Sequence, residues 1–284
     1  MISLQDVDVV FGPKPSVVFP LLDQGLDQDE ILKKTNHFVA VSKANLHVDR
    51  GEIFVLMGLS GSGKSSLLRC INGLNPVSRG QVILEKSRHK NISKASTEAL
   101  RQIRMEHISM VFQKFGLLPW RTLFDNVGLG LELKGLSREE REPLIQKNLE
   151  TVGLSKWASH YPHQLSGGMQ QRVGLARALA TQADILLMDE PFSALDPLIR
   201  SQLQNELLKL QKELKKTIVF VSHDMDEAFK IANRIGIMQA GKIVQIGKPA
   251  DIMQHPVNDY VRSFTAHMKN TCPTCQKNAE LLAC

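Results

Sequence analysis

A glycine-rich turn between an apolar segment and a helical segment constrains this chain more than any other feature. Residues 53–57 are continuously apolar, which predicts a strand buried on both faces of a sheet, and the turn GLSGSGKS follows directly at residues 58–65. The next residues predict a helix over 65–72 that stops at Gly73. A strand, a glycine turn and a helix in this order, repeated by later apolar runs, indicate an α/β fold with right-handed crossovers and a mostly parallel sheet.

The turn at residues 58–65 fits the pattern G-x-x-x-x-G-K-[ST], which binds nucleotide phosphates when it lies between a strand and a helix. Glycines allow positive φ angles and bring backbone N–H groups close to phosphate oxygens. Lys64 would supply positive charge to the β- and γ-phosphates, and the Ser65 hydroxyl a ligand for Mg²⁺. An incidental lysine after a glycine turn is the alternative, and the flanking strand and helix disfavour it. The residues predicted to bind the nucleotide here are Gly58, Leu59, Ser60, Gly61, Ser62, Gly63, Lys64, Ser65 and Ser66.

Two acidic residues follow a second apolar run at 185–188. A buried strand that ends in acids places them at the carboxyl edge of an open α/β sheet, where such sheets bind ligands. Asp189 is suited to hold Mg²⁺, and Glu190 to orient or deprotonate an attacking water. His223 follows a third strand, so we predict that it senses the γ-phosphate, although a histidine at a strand edge is often only structural.

A second anion site is predicted at Ser166, Gly167 and Gly168, which precede a helix over 171–180. Small residues at a helix N-terminus present backbone N–H groups to an anion. One chain does not need two γ-phosphate sites for one nucleotide, so this site is predicted to serve the ATP of a partner chain across a dimer. A simple turn is the alternative interpretation.

The composition limits the class of partner. The 284 residues are 43% hydrophobic and carry a net charge of +6, which admits a nucleic acid or an anionic membrane as a partner. No tight basic block stands out, so scattered solvated lysines are the favoured interpretation. No stretch approaches the ~20 apolar residues that cross a bilayer, and no signal-peptide pattern opens the chain. We therefore expect a protein that faces the cytosol and reaches a membrane only through a partner.

The four cysteines indicate a reducing compartment. Cys70 lies in a predicted helix, and Cys272, Cys275 and Cys284 lie in the tail. A single Cys-x-x-Cys pair without a second pair or a nearby histidine pair is weak evidence for zinc, so reduced thiols in a flexible tail are the favoured interpretation.

Together these residues resemble the ATP-binding cassette (ABC) family. The resemblance covers about residues 36–265, and six motifs occur in the order that the family has them. They are a Walker A motif at 58–65, the Q-loop glutamine Gln113, the signature motif at 165–170, a Walker B motif at 185–189, the D-loop at 193–196 and the switch histidine His223.

The resemblance implies an α/β P-loop NTPase (RecA-like) fold. Its core would be a mixed, mostly parallel sheet, with an antiparallel β portion and an inserted α-helical subdomain. The implied division is an N-terminal extension at 1–35, an ATPase domain at 36–268 and a flexible tail at 269–284, with a RecA-like core at about 36–112 and 176–268 and a helical subdomain at about 113–175.

The resemblance also implies a homodimer in which two chains sandwich two ATP molecules, with Mg²⁺, head to tail. Each site would combine the residues 58–65 of one chain with the signature motif of the other. The implied catalytic residues are Glu190, His223 and Gln113, the Mg²⁺ ligands are Ser65, Gln113 and Asp189, and the residues given to the partner's ATP are Ser166, Gly167, Gly168 and Asp196. Phe38 is the candidate for stacking on adenine, but its spacing from the loop is imperfect and a core position is the alternative. The surface at 115–121 would dock a membrane subunit.

Several stretches look like the glycine betaine/proline/choline uptake branch of the family, and two resemble its choline member. The branch-like stretches are 29–32, 57–64, 193–200 and 258–261, and the choline-like ones are 116–122 and 264–268. This implies the ATP-hydrolysing subunit of a bacterial importer at the cytoplasmic face of the inner membrane, with a separate permease, a substrate-binding protein and no nucleic acid. The alternatives are an importer of another amino acid or osmolyte, a non-transport cassette ATPase, and a nucleotide-binding regulator, which would be expected to lack Glu190.

Overall fold

Two β-sheets carry the fold, as seen in a computed structural model that describes residues 1–266 except 89, 114 and 194. The first is a three-stranded antiparallel sheet with strand order β2-β1-β4, built from β1 (Ile2–Phe11), β2 (Phe38–Val48) and β4 (Arg79–Leu84). The second has strand order β5-β6-β7-β3-β8-β9, built from β3 (Ile53–Met57), β5 (Ile108–Val111), β6 (Ile185–Asp189), β7 (Thr217–Val221), β8 (Arg234–Gln239) and β9 (Lys242–Gly247).

The six-stranded sheet is parallel except for its last strand, β9, which pairs antiparallel with β8. Every residue of β3, β6 and β7 is buried, as a continuous apolar run predicts for a strand covered on both faces. Because these strands run in one direction, the segments that follow β3, β6 and β7 meet at one edge of the sheet. That edge carries the residues 58–65, Asp189 and His223.

Eleven α-helices lie among the described residues. They are α1 (Phe19–Asp23), α2 (Gln28–Thr35), α3 (Lys64–Ile71), α4 (Thr97–Glu106), α5 (Leu123–Leu133), α6 (Arg138–Thr151), α7 (Gly167–Ala180), α8 (Pro197–Leu214), α9 (Met225–Ile231), α10 (Pro249–Gln254) and α11 (Asp259–Ala266). Helices α5, α6 and α7 pack on one another between β5 and β6 in the chain, with Val127, Ile145 and Val173 buried among them. The predicted mixed sheet, antiparallel portion and inserted helical subdomain are thus confirmed.

Two details differ from what the sequence predicts. The polar and basic composition of residues 85–107 predicts a surface segment, but these residues contain α4, which is capped by Ser96 and buries Ala99 and Ile103. Two apolar positions four residues apart are enough to fix a helix on the core in an otherwise charged segment. On α8, Leu203 and Leu207 are buried as the apolar spacing predicts, whereas Leu214 at the helix end is exposed.

The N-terminal segment belongs to a sheet rather than to a separate appendage. Strand β1 is the middle strand of the antiparallel sheet, so it pairs with β2 and β4 across the predicted boundary at residue 35. The division into an extension, an ATPase domain and a tail stays a prediction, and Cys272, Cys275 and Cys284 lie outside the described residues. Within the described part of the chain, no helix has both the length and the apolar character that a membrane crossing requires.

Candidate functional site

The loop at residues 58–65 has a backbone that only glycine can adopt at two points. Gly58 has φ +148° and Gly63 has φ +99°. A Cβ atom at Gly63 would collide with the carbonyl oxygen of Ala40, and one at Gly58 with the carbonyl oxygen of Met238. These close approaches fix the loop against β2 and β8 and aim it at the N-terminus of α3, where backbone N–H groups lack acceptors within the helix.

Lys64 folds back into this loop. Its Nζ donates hydrogen bonds to the carbonyl oxygens of Gly58 at 2.8 Å and Leu59 at 2.9 Å. Burial lowers the pKa of the Lys64 ammonium, while the negative charges of Glu190 and Asp189 oppose that shift. The buried hydroxyl of Ser62 has no hydrogen-bond partner among the described residues. A buried ammonium and an unpaired buried hydroxyl fit a loop that binds phosphate oxygens.

Ser65 and Asp189 meet as their positions in the sequence predict. The Ser65 hydroxyl donates to Oδ1 of Asp189 at 2.7 Å, and the Asp189 side chain is fully buried. A hydroxyl and a carboxylate at this distance are close enough to share one Mg²⁺, which in nucleotide sites takes few protein ligands and keeps waters and phosphates as the others. The described residues hold no cluster of three or more His, Cys, Asp or Glu side chains, and such a cluster is not what Mg²⁺ at a nucleotide requires.

Arg69 is a member of the site that the motifs do not identify. It lies on α3, one turn beyond Ser65, and its Nη2 donates to Oδ2 of Asp189 at 3.0 Å. The two oxygens of the buried carboxylate are therefore held by two different side chains of the same helix. This arrangement fixes the direction of the Asp189 side chain.

Gln113 and His223, the other two predicted catalytic residues, both contact the Glu190 carboxylate. Its Oε2 accepts a hydrogen bond from Nε2 of Gln113 at 3.2 Å and lies 3.3 Å from Nδ1 of His223. Gln113 follows β5, Glu190 follows β6 and His223 follows β7, so three neighbouring strands deliver the three side chains to one point. The structure places Gln113 beside Glu190; its predicted role as a Mg²⁺ ligand stays a prediction.

The backbone of Glu190 is held in an unusual conformation. Its φ of +49° lies in the left-handed region, which side chains other than glycine rarely adopt. The Glu190 N–H donates to the carbonyl oxygen of Val221, and the Glu190 carbonyl accepts from Nε2 of Gln171 at 3.3 Å and from the Ser193 hydroxyl at 3.1 Å. Gln171 lies on α7, so the helix that begins at the signature motif also contacts the backbone of the candidate catalytic residue.

The residues assigned to a partner's nucleotide lie apart from the Gln113, Glu190 and His223 side chains. Ser166 caps α7 by accepting from the Met169 N–H at 3.3 Å, and Asp196 caps α8 by accepting from the Ile199 N–H at 3.0 Å. Both are exposed, as is Gly167, and Gly168 is half-buried. No hydrogen bond among the described residues joins Ser166 or Asp196 to the loop at 58–65. Exposed helix N-termini of this kind are available to a second chain.

Phe38 is an exposed residue rather than a core residue. Its ring lies 6.5 Å from that of Phe11, at an interplanar angle of 17°, and the two residues are partners in the β1–β2 register. Both rings remain exposed, by 45% and 42%. The core alternative for Phe38 is therefore wrong, and its role in adenine binding stays a prediction.

Tyr260 on α11 ties the C-terminal part of the described chain to the phosphate loop. Its hydroxyl accepts from the Leu59 N–H at 3.1 Å and donates to the carbonyl oxygen of Met238 at 3.0 Å. No motif predicts this contact, because only the folded chain brings residue 260 next to residue 59.

A phosphate loop that faces an Asp-Glu strand end, together with a Ser-Gly-Gly helix start on an inserted helical subdomain, defines the nucleotide-binding cassette class of P-loop ATPases. Comparison with known families agrees: residues 41–193 match the model of the ABC transporter family. The chain belongs to that family.

Relatives within the family share much of the sequence. The chain is 50% identical, over 263 residues and 93% of its length, to the glycine betaine/proline betaine transport system ATP-binding protein ProV of Escherichia coli, of which it covers 65%. It is also 50% identical to the glycine betaine/carnitine transport ATP-binding protein GbuA of Listeria monocytogenes, of which it covers 66%. The trimethylamine N-oxide transport system ATP-binding protein TmoW of Ruegeria pomeroyi is 44% identical and is covered to 77%. The chain thus spans slightly less than two thirds of ProV and GbuA.

The same fold is found in solved structures of a cassette. A dimeric post-hydrolysis state of the ATP-binding cassette MJ0796 bound to ADP and Pi superposes with a TM-score of 0.76 at 32% identity, covering 88% of this chain and 99% of that one. A second dimeric structure of MJ0796 gives the same TM-score at 33% identity. The expected ABC nucleotide-binding fold is confirmed.

Proposed function

We propose that this chain is the ATP-binding and ATP-hydrolysing subunit of an importer for a quaternary amine. The observation that carries the proposal is the convergence of the phosphate loop, the Ser65–Asp189 pair and the Gln113–Glu190–His223 cluster at one edge of the sheet. A glutamate at position 190 argues against a regulator that binds the nucleotide without turnover.

Lys64 and the N-terminus of α3 would bind the phosphates of ATP. The Lys64 ammonium lies inside the loop, and the carbonyl oxygens of Gly58 and Leu59 that it contacts would give way to phosphate oxygens. Ser65 and Asp189 would hold Mg²⁺, which supplies positive charge to the β- and γ-phosphates when it is bound. The exposed ring of Phe38 is the proposed contact for adenine.

Hydrolysis is proposed to depend on Glu190. Its carboxylate would accept a hydrogen bond, and then a proton, from the attacking water. Gln113 and His223 lie within 3.3 Å of Glu190 Oε2, so they hold the carboxylate in place, and the half-exposed His223 ring is free to reach a γ-phosphate oxygen. The left-handed backbone of Glu190 turns its side chain toward this position.

Two copies of the chain are proposed to complete the site. The N-termini of α7 and α8, at Ser166 and Asp196, are exposed, and neither side chain is hydrogen-bonded to the phosphate loop of its own chain among the described residues. The dimeric cassette MJ0796, with which this fold superposes, supports a homodimer. In such a dimer Ser166, Gly167 and Gly168 would bind the γ-phosphate held by the partner's loop.

A groove next to Gln113 is the proposed contact for a membrane permease. It is lined by Gln113, Phe115, Leu117, Pro119 and His163, and encloses about 560 Å³. Trp120, beside it, is 71% exposed. A large exposed aromatic next to an apolar groove is typical of a protein interface, and Gln113 links this groove directly to Glu190.

The substrate class rests on the named relatives. ProV, GbuA and TmoW are named for transport of glycine betaine, proline betaine, carnitine and trimethylamine N-oxide, all of which carry a substituted amine nitrogen. Choline is the narrower prediction, supported by the residues at 116–122 and 264–268. The proposed location is the cytoplasmic face of a bacterial inner membrane, with the permease in the membrane and a substrate-binding protein beyond it.

ATP-dependent dimerisation of the Glu190→Gln protein tests this proposal. Without the carboxylate the protein should bind Mg²⁺-ATP, hydrolyse it very slowly and elute as a dimer in size-exclusion chromatography, and as a monomer without ATP. Adding Ser166→Arg should abolish the dimer, because the arginine blocks the exposed N-terminus of α7. Adding Gln146→Arg, which introduces the same charge at an exposed position of α6, should leave the dimer intact.

Two other outcomes would count against the proposal. A protein that binds ATP and remains monomeric in every variant would contradict the two-chain site. A wild-type protein that forms the dimer but shows no ATP hydrolysis would contradict the role of Glu190.

A further inference from the structure

Polar contacts fasten helix α8 to the loop that carries His223 and to the first turn of α9, which follows that loop. Nη1 of Arg200 donates to Oδ2 of Asp224 at 3.0 Å, and Nη2 of the same side chain donates to the carbonyl oxygen of Leu195 at 3.2 Å. One turn further along α8, Nε2 of Gln204 donates to Oε1 of Glu227 at 3.1 Å. Arg200 and Gln204 are four residues apart and therefore lie on one face of the helix.

The loop at residues 222–224 is hydrogen-bonded to Glu227, in the first turn of α9, from both sides of His223. The Ser222 hydroxyl donates to Oε2 of Glu227 at 2.5 Å and accepts from the Asp224 N–H at 3.0 Å. Oδ1 of Asp224 accepts from the Glu227 N–H at 3.2 Å. The backbone of His223 is fixed by its two neighbours, while its ring is 61% exposed.

The Gln204–Glu227–Ser222 part of this network is buried. Gln204 is 5% exposed and Glu227 7%. Burial raises the pKa of Glu227, because a carboxylate in this position loses its hydration. A buried polar network of this kind costs stability relative to an apolar core, and what it provides is a defined geometry.

Helix α8 begins, one turn before Arg200, at a residue that is assigned to the partner's ATP. Asp196 caps the helix, and its carbonyl oxygen accepts from the Arg200 N–H at 2.9 Å. A small cavity of about 40 Å³ lies beside these contacts, and its lining includes Glu190, Ser193, Arg200 and His223. The first turn of α8 is thus in contact with the exposed D-loop on one side and with the His223 loop on the other.

We propose that Arg200 and Gln204 are positioning residues for His223. They keep the His223 side chain next to Glu190, and when a partner chain contacts Asp196 they transmit the resulting shift of α8 to His223. The inference rests on the proposed ATPase function. A displacement of the first turn of α8 moves the side chains of Arg200 and Gln204, and through Asp224 and Glu227 it moves the backbone on both sides of His223. Hydrolysis would in this way depend on the presence of the partner chain.

The test measures turnover and nucleotide affinity of the full chain carrying Arg200→Met. We expect kcat to fall about tenfold while KM for ATP stays within about twofold, because coupling energies between contacting residues are of this order and the hydrogen bonds of Arg200 and Gln204 go to Asp224, Leu195 and Glu227 rather than to the phosphate loop. Arg200→Lys keeps the charge and should recover most of kcat. Arg141→Met is the matched control: Arg141 also pairs with a carboxylate, at 2.9 Å, and also has a buried unpaired Nε, but it lies on α6. It should leave kcat unchanged.

A second readout separates positioning from a general loss of stability. The imidazole C–H resonance of His223, assigned by its absence from the His223→Ala protein, should shift in Arg200→Met and not in Arg141→Met. Gln204→Leu, which keeps a side chain of similar size, should produce the same shift and the same loss of kcat. It provides the test if Arg200→Met does not fold.

The outcomes are distinguishable from failure of the proposed function. If wild-type protein hydrolyses ATP and Glu190→Gln forms the ATP-dependent dimer, but kcat or the His223 resonance is unchanged in both α8 variants, this inference alone is wrong. An equal loss of kcat in Arg141→Met would also overturn it. If the wild-type chain neither dimerises with ATP nor hydrolyses it, the proposed function fails and the inference with it.

Discussion

Arg69 shows how a single residue completes a site that the motifs only outline. A basic residue in the last turn of a helix is normally interpreted as a solvated side chain that complements the helix dipole. In the fold, α3 runs beside β6, and the guanidinium of Arg69 reaches the fully buried carboxylate of Asp189 at 3.0 Å. The contact spans 120 positions of the chain, so no local pattern predicts it.

We predict that Arg69→Met lowers the free energy of unfolding by about 1–3 kcal/mol, because a buried carboxylate loses one of its two donors. Urea unfolding followed by circular dichroism measures the change. Arg101→Met, at an exposed position of α4, is the control and should alter stability little. Equal unfolding midpoints for the two variants would show that Ser65 alone satisfies Asp189.

A second prediction at this scale concerns the buried carboxyl of Glu227. Burial raises its pKa above the usual 4.5, with Asp224 adding to the rise and with Ser222, Gln204 and Arg200 opposing it. Above the raised pKa the carboxylate is charged in both the folded and the unfolded protein, and the folded protein bears the cost of burying it. As the pH falls through the raised pKa toward 4.5, that cost disappears.

Glu227→Gln should therefore increase the thermal stability of the protein most at about pH 8, and the gain should shrink as the pH approaches 5. Melting temperatures across this range are the measurement. Glu213→Gln removes an exposed charge from α8 and should give no gain that depends on pH in this way. A constant difference between wild type and Glu227→Gln at every pH would contradict the prediction.

Among the elements, helix α5 is joined to the turn at 118–122 by the buried side-chain amide of Asn126. Nδ2 of Asn126 donates to the carbonyl oxygens of Leu118, Arg121 and Thr122 at distances from 2.9 to 3.1 Å, and its Oδ1 accepts from the Leu118 N–H at 2.8 Å. The residue is fully buried. It holds the turn at 118–122, and with it the exposed Trp120, on the first turn of α5.

We predict that Asn126→Ala destabilises the protein by about 2–4 kcal/mol and accelerates amide hydrogen exchange at 118–122, since several partly buried backbone groups lose the partner that the fully buried Asn126 side chain provides. Hydrogen exchange with mass spectrometry locates the change. Asn148→Ala on α6 is the control, because the Asn148 amide donates only to the Leu144 carbonyl within its own helix among the hydrogen bonds described. Unchanged exchange at 118–122 would mean that the turn is held by other contacts.

At the scale of the whole molecule, β1 decides whether the antiparallel sheet exists. It lies between β2 and β4, and its buried residues include Ile2, Leu4 and Val7. Two further strands depend on it for their hydrogen bonds. The antiparallel sheet in turn supplies the Ala40 carbonyl against which Gly63 is fitted, so it also shapes the phosphate loop.

Deletion of residues 1–11 is therefore expected to abolish cooperative folding and nucleotide binding together. Without β1 the strands β2 and β4 lose their partner, because in this sheet each pairs with β1 and not with the other, and even a paired two-stranded sheet is marginal in water. Thermal unfolding and binding of a fluorescent ATP analogue measure both effects. Gln5→Asp, an exposed substitution in the same strand, should retain a normal transition. A truncated protein that melts cooperatively and binds nucleotide would show that residues 1–11 are a dispensable extension.

Local features of the sequence predicted most of the elements that position the site. Buried parallel strands require continuous apolar runs, so β3, β6 and β7 are evident in the sequence, and the acids and glycines after them stand at fixed offsets. The alternation of apolar and polar residues at 2–10 predicts a half-exposed strand, and β1 lies there. Helix α4 was missed because its apolar positions are few and the surrounding residues are charged.

By itself, the sequence determined the α/β class, the phosphate loop and the identity of the residues at the strand ends, because these depend on backbone geometry and on patterns within a few positions of one another. Only the tertiary structure decided that Arg69 holds Asp189, that Tyr260 supports Leu59, that Asn126 fixes the turn at 118–122, and that Arg200 and Gln204 reach the His223 loop. Each of these contacts joins polar side chains to groups whose positions are set by the packing of other elements. A hydrogen bond needs its two atoms within about 3 Å, and the spacing along the chain cannot specify that distance across the fold.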